Sequence, residues 1–273
     1  MRFAQWEPCY RSIVTRFGFS VAREEASADW LARALSAKGS YGGRRAGVPQ
    51  LRALLAGRDA VVLGRAKGPL PSFPWRDRRV VVACDGATSA CLAQGLVPDL
   101  VVTDLDGRLS DEVRANRLGS LLVIQAHGDN LPTLRHWLGR FPGPVVGSCS
   151  ARPRGPLVNF GGFTDGDRAV LLAEALGARS ATLVRFDFDH PAEGPGPAGR
   201  VKREKLEVAR QILAEVQTRG KLNLSTYPDR SLLDPPLPGK GRPSGQVEIR
   251  SRERPRRASP PVRPHTRARS PGR

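Results

Sequence analysis

The sequence predicts an α/β protein: a mostly parallel sheet with helices on both faces, preceded by a small helical region. Three observations carry this. From residue 59 onward, short β-branched runs alternate with helix-length segments. Those runs are apolar throughout rather than alternating, the pattern of strands covered on both faces. Acidic residues paired with glycine follow several of the runs, where strands of such a sheet end at a ligand site.

Residues 1–56 read as helical. Trp6, Tyr10, Ile13, Val14 and Phe17 recur at helical spacing, Gly18 breaks the run, and a second helix carries Trp30, Leu31, Ala34 and Leu35 on one face. Gly39 to Gly47 reads as a loop. Residues 57–225 form the α/β region, with candidate strands at Ala60–Leu63, Val80–Ala83, Leu100–Thr103, Leu121–Gln125, Val145–Val146 and Thr182–Arg185. Helical patterns lie at Ala87–Gln94, Leu131–Gly139 and Arg168–Leu176, and a closing helix spans about Lys202 to Thr218. There is no internal repeat.

A chain of 273 residues is long enough to bury a sizeable core. Its 29 glycines lack a three-residue period, which excludes collagen. No apolar run approaches the ~18 residues of a spanning helix, so no membrane association is expected. The opening MRFAQWEPCYRS lacks the apolar centre of a signal peptide, and the expected location is the cytoplasm. Cys9, Cys84, Cys91 and Cys149 are scattered without a CxxC pair, which reads as free thiols rather than a zinc site. Any metal here needs oxygen ligands.

The net charge of +18 is unevenly placed. Residues 236–273 hold eleven Lys/Arg against two acidic groups, and eight prolines with almost no large apolar side chain. Such a tail cannot bury enough surface to offset its ordering entropy, so disorder is expected. Two readings stand side by side for it: weak electrostatic contact with nucleic acid, or a solvated extension.

Chemistry concentrates at the predicted strand ends. The stretches are Cys84-Asp85-Gly86-Ala87, Asp104-Leu105-Asp106-Gly107, Ala126-His127-Gly128-Asp129-Asn130 and Gly161-Gly162-Phe163-Thr164-Asp165-Gly166-Asp167. On extended chain, Asp104 and Asp106 project to the same side, so both carboxylates could meet one cation. Hard oxygens suit magnesium with substrate phosphates. A lone DxD more often caps a helix or satisfies a turn, but four acid-and-glycine stretches at successive strand ends favour magnesium–phosphate chemistry. His127 either contacts phosphate or is a core histidine. Thr164-Asp165 is an N-cap for the following helix and also a candidate anion or heterocycle contact. Arg168 pairs either with phosphate or with Asp165 or Asp167. Gly64-Arg65-Ala66-Lys67-Gly68-Pro69 is a candidate phosphate loop, and no Walker A sequence occurs.

These stretches resemble the archaeal-type 6-hydroxymethyl-7,8-dihydropterin pyrophosphokinases, distant relatives of thiamine pyrophosphokinases. The resemblance rests on Asp85-Gly86-Ala87, Pro98-Asp99, Val102 to Gly107, Ala126 to Asn130 and Asn159 to Ala169. Trp6, Tyr10 and Phe17-Gly18-Phe19-Ser20 also look like the family's opening, while Phe186-Asp187-Phe188 and Lys202 to Leu206 fit its end. It covers about residues 1–225 and implies a catalytic domain like that of thiamine pyrophosphokinase. The activity implied is ATP-dependent transfer of diphosphate to a pterin hydroxymethyl group, releasing AMP. Magnesium would be held by Asp104 and Asp106, with Asp85 or Asp129 near. Catalytic candidates are Asp85, Asp104, Asp106 and Asp129; those for nucleotide or substrate contact are Gly64, Gly86, His127, Asn130, Asn159, Thr164, Asp165 and Arg168. Two departures stand out. The family's first loop looks more like Gly-x-Gly-Pro-Ser, and Arg185 stands where its late strand usually runs into glycine.

The alternatives are diphosphate transfer to thiamine on the same fold and, in another class, a basic nucleic-acid-binding protein with a degenerate catalytic domain. A homo-oligomer is compatible with either. Asp104→Asn or Asp106→Asn is expected to abolish AMP release while leaving the circular-dichroism spectrum unchanged. Near-full turnover in both variants would contradict the metal assignment.

Overall fold

The structure is a computed structural model that describes residues 3–37, 44–66, 69–73, 75, 78–189 and 197–227. The expected disordered tail and two residues of the candidate phosphate loop, Lys67 and Gly68, lie outside them.

The chain opens with helices α1 (Phe3–Phe17) and α2 (Val21–Ser36), a two-residue strand β1 (Arg44–Arg45) and helix α3 (Val48–Leu55). Strands β2 (Asp59–Leu63) and β3 (Arg79–Cys84) follow, then α4 (Ala87–Ala93) and β4 (Leu100–Thr103). Next come α5 (Leu109–Arg117), β5 (Leu121–Ala126), α6 (Leu131–Trp137) running into a 3₁₀ turn, and β6 (Pro144–Cys149). The last elements are α7 (Asp165–Ala175), β7 (Ser180–Val184), α8 (Pro197–Arg219) and β8 (Asn223–Tyr227).

The eight strands form one sheet in the order β1-β6-β5-β4-β3-β2-β7-β8. Every pairing is parallel. The α/β expectation therefore holds, and the six predicted strands are β2 to β7. Sequence patterning did not single out β1, α3, α5 or β8. β1 lies within the stretch read as a loop, because two arginines show no strand pattern until β6 supplies the partner. β6 also runs past its predicted end through Gly147-Ser148: the Ser148 hydroxyl donates to Gln125 Oε1 at 2.7 Å, satisfying a polar group that broke the apolar pattern.

Alternate strand residues serve two cores. Ala60, Val62, Val80, Val82, Leu100 and Val102 pack with α1, α3, α7 and α8, while Val61, Leu63, Val81, Ala83, Val101 and Ile124 pack with α2, α4, α5 and α6. This two-sided burial is why the strands read as continuous apolar runs. The N-terminal helices join these cores through Trp6, Tyr10 and Ile13 on one side and Leu31 and Leu35 on the other. No helix among the described residues is long and apolar enough to cross a membrane.

One connection positions the site. The chain leaves β6 on one flank of β2 and re-enters the sheet as β7 on the other, so α7 lies across β2, β3 and β4. It is sandwiched between the sheet and α8, and residues 166–173 are all buried. Its N-terminus thereby reaches the carboxyl ends of the central strands. Leu171→Ala, at a fully buried site, is expected to lower unfolding free energy by ~2–5 kcal/mol in chemical denaturation. A loss below about 1 kcal/mol would show that α7 is not packed in this way.

Candidate active site

The loops after β2, β3, β4 and β7 converge with the N-terminus of α7 around a cavity of ≈ 400 Å³. Its floor is acidic. Asp85 directly follows β3, Asp104 and Asp106 follow β4, and Asp165 is the first residue of α7. Asp85, Asp104 and Asp106 each offer a carboxylate oxygen, and these atoms lie within 4.8 Å of one another. They grade from buried Asp85 through half-buried Asp104 to exposed Asp106, so the cluster is open to solvent on one side. Asp104 Oδ1 is buried without a hydrogen-bond partner. Three clustered carboxylates, one of them with a buried, unpaired oxygen, fit a magnesium-type cation.

The backbone is bent sharply to achieve this. Asp85 and Leu105 have φ of 45° and 67°, in the left-handed region that side chains rarely adopt. Thr103 ties the two turns together. Its Oγ1 lies 3.2 Å from Asp85 Oδ1 and 3.0 Å from Glu112 Oε1, and accepts the Leu105 N–H at 2.8 Å. A hydroxyl has one proton to give, so it cannot satisfy two carboxylates at once. Burial, reinforced by the charge of Asp85, pushes Glu112 well above the usual carboxylate range.

The same crowding acts on the floor itself. Burial, then the hydrogen bond and charge of Asp106 and the charge of Asp104, push the Asp85 carboxyl up to about 7. Burial and Asp104 raise Asp165 too, against the opposing pull of Arg168. Asp165 is 15% exposed and accepts from Arg168 Nη1 at 2.8 Å. Arg168 thus takes the ion-pair alternative. Thr164 caps α7, its N–H donating to Asp167 Oδ1 at 2.7 Å.

The same cavity is lined by Arg65, Arg185, Lys202 and Lys205, and by the apolar Phe163, Phe186 and Leu206. Gly64 permits the close approach of β2 and β7 here, since a Cβ on it would meet Arg185 O at 2.6 Å. A Cβ on Gly86 would meet Arg65 Cδ at 2.9 Å, so this glycine underlies the Arg65 stem.

Not every residue named from sequence reaches the cavity. His127 and Asp129 line an adjoining recess together with Asp104 and Arg168. His127 Nε2 is 3.7 Å from Asp104 Oδ2. Asp129 stands apart from the three-carboxylate cluster and pairs with Arg23 at 3.1 Å. Asn130 and Asn159 brace loops. Asn130 Nδ2 donates to Asp104 O at 2.8 Å and Gln125 O at 2.7 Å, and its Oδ1 accepts the His127 N–H at 3.0 Å. Asn159 Nδ2 donates to the carbonyls of Ser150 and Ala151, and its Oδ1 accepts the Gly161 N–H.

Comparison with known proteins bears directly on this arrangement. Residues 70–193 match the protein-family model described as 6-hydroxymethylpterin diphosphokinase MptE-like. A protein of Methanothermobacter thermautotrophicus named 6-hydroxymethyl-7,8-dihydropterin pyrophosphokinase is 37% identical over 241 residues, covering 83% of this chain and 100% of that protein. The chain belongs to this family. Proteins of the same name from Pyrococcus furiosus and Methanocaldococcus jannaschii are 35% and 30% identical, over 83% and 78% of this chain and 99% and 95% of their own lengths. The family is one of diphosphotransferases.

Within this pyrophosphokinase framework the Arg185 departure has a structural counterpart. Arg185 has φ of 61°, the region glycine adopts without strain, and its guanidinium donates to Ala66 O. The arginine thus fastens the end of β7 to the loop after β2. Sequence reading passed over Thr103, Glu112 and Glu24 as site residues. Glu112 sits in the first turn of α5, a short charged helix whose sequence gives no sign that this glutamate faces inward.

The raised Asp85 carboxyl has a consequence for the metal-free protein. Its folded value, about 7, lies above the ordinary 3.8. Its contribution to stability is therefore fully present below about 4 and is lost as pH rises through about 7. In chelator, the melting temperature of the native protein is expected to fall between pH 5 and pH 8 relative to that of Asp85→Asn. Parallel curves for the two proteins would refute the shift.

Proposed function

We propose that this chain transfers a diphosphoryl group from ATP to the hydroxymethyl oxygen of 6-hydroxymethyl-7,8-dihydropterin, giving the pterin diphosphate and AMP. The observation that carries this reading is one cavity with three clustered carboxylates on its floor and four cationic side chains on its wall. A triphosphate needs both: oxygen ligands for its counter-cation, and positive side chains for the charge that the cation leaves. The names of the three relatives supply the acceptor.

Asp85, Asp104 and Asp106 would hold magnesium, which when bound neutralises phosphate charge and makes the β-phosphorus more electrophilic. The protein's own groups do the rest. Arg65, Lys202 and Lys205 line the cavity and would contact the polyphosphate oxygens, while Arg185 braces the loop that carries Arg65. Phe163, Phe186 and Leu206 keep water from competing with the pterin hydroxyl as nucleophile. The hydroxyl oxygen bonds to the β-phosphorus as the bond from that phosphorus to the α–β bridging oxygen breaks, and AMP departs with that oxygen. The hydroxyl proton passes to a carboxylate of the floor. Catalysis on this reading is mainly positioning and charge neutralisation.

The product carries a good leaving group on a methylene, suited to displacement by an amine in building a tetrahydromethanopterin-type or folate-type cofactor. We place the reaction in the cytoplasm, where ATP is supplied.

Purified protein incubated with ATP, magnesium and either acceptor is expected to release AMP with the pterin and none with thiamine. Release with thiamine alone would overturn the choice of acceptor. No release with either would overturn the activity.

A further inference from the structure

Beside the main cavity, sharing its wall at Asp104, Phe163 and Lys205, lies a narrower recess of ≈ 80 Å³. It is walled by aromatic side chains from α1, the turn between α1 and α2, and the loop before α7: Trp6, Tyr10, Phe19 and Phe163. Two of its polar groups have unused hydrogen-bonding capacity. Tyr10 is only 8% exposed, and its buried hydroxyl has no hydrogen-bond partner. Glu24 is 7% exposed; its Oε1 accepts the Gly128 N–H at 2.9 Å, while Oε2 has no hydrogen bond among the described residues. Two further polar groups of the recess are already engaged: the Trp6 indole N–H donates to Ser150 O at 3.3 Å, and Arg168 is paired with Asp165.

Leaving the Tyr10 hydroxyl unpaired at such depth is unfavourable unless a ligand completes it, and Glu24 lines the same recess with one oxygen uncommitted. The ligand such a place completes is flat, uncharged and rimmed with N–H donors. A 2-amino-4-oxopyrimidine edge fits: its ring N–H and exocyclic amine are adjacent donors that one carboxylate can accept side by side, and its carbonyl accepts from a hydroxyl. Adenine does not fit, because its amine is flanked by ring nitrogens that would face the carboxylate with lone pairs. The aminopyrimidine of thiamine fails for the same reason.

We propose that this recess seats the amino-oxo edge of the acceptor ring, with Glu24 accepting its N–H groups and the Tyr10 hydroxyl donating to its carbonyl. This rests on the diphosphokinase reading above. The recess has room for one ring, so the second lies at the shared wall, and its hydroxymethyl substituent points past Asp104 into the phosphate cavity. Acceptor choice is thus made on α1 and α2, away from the strand-end carboxylates that handle ATP.

The test follows the fluorescence of 6-hydroxymethylpterin on titration with native protein, Glu24→Gln and Tyr10→Phe, alongside steady-state kinetics with the dihydropterin. The amide of Glu24→Gln can still accept from Gly128 but presents N–H to N–H at the ligand. It is expected to weaken pterin binding about tenfold or more and raise the pterin KM in step, with the KM for ATP unchanged. Tyr10→Phe is expected to weaken binding about two- to tenfold. Native affinity in both variants, with their circular dichroism unchanged, would overturn the seat. Should Glu24→Gln misfold, Tyr10→Phe decides alone, since it removes one oxygen and keeps the ring. Native protein that binds the pterin but releases no AMP overturns the activity reading only, and the two variants still decide the seat by titration. Native protein that binds no pterin overturns both.

Discussion

Mutual repulsion among clustered carboxylates is the constraint around which the rest of this structure is arranged. Asp85, Asp104 and Asp106 share one small volume and Asp165 lines the same cavity. Burial weakens the solvent screening that would let them ionise independently. The protein answers in three ways. Thr103 and Glu112 give Asp85 a hydrogen-bonded backing. Arg168 sits against Asp165. The remaining charge is left facing a cavity that basic residues also line. An acidic floor that is unfavourable when empty becomes favourable once a divalent cation enters, which is how a site can bind metal and nucleotide as a unit.

That arrangement depends on the crossover from β6 to β7. Without it, the strand-end aspartates would face an open crevice on one side only. By carrying α7 across β2, β3 and β4, the crossover brings Thr164 and Asp165 over the same cavity and buries the helix throughout residues 166–173. The helix is anchored by both sheet and α8, so the position of its first turn is set by core packing rather than by the loop before it. Strained backbone occurs close to the same place: Asp85, Leu105 and Arg185 are three of the four non-glycine residues with positive φ among those described. Surrounding packing holds each in a conformation it would not choose alone, as is common where side chains must be aimed at one point.

The basic excess of the composition belongs to a different part of the chain. Half of the +18 lies in residues 236–273, outside the region shared with the pyrophosphokinase relatives in motif and pattern. Within residues 1–235 the balance matters less than its placement. Arg65, Arg185, Lys202 and Lys205 come from three separate stretches and meet only because β2 and β7 are neighbours and α8 packs on α7.

Local pattern was enough for six central strands, for the helices between most of them, and for the family's acidic motifs, because those features reside in consecutive residues. A strand buried on both faces must be apolar along its length, whereas Asp104 and Asp106 converge not by the alternation of an extended chain but through the left-handed turn at Leu105. What local pattern could not show were features whose cause is a distant partner. Arg44-Arg45 is a strand only because β6 lies beside it. Asn130 and Asn159, which look like ligand groups in sequence, spend their amides on backbone carbonyls. Glu112 and Glu24 look like ordinary charged helix residues and are buried against the site. The sequence by itself determined the fold class and the acidic chemistry, since both are written in short-range spacing. Tertiary structure alone decided which carboxylates cluster, which basic residues line the same cavity, and which buried groups were left without a partner, because those depend on chain segments far apart in sequence.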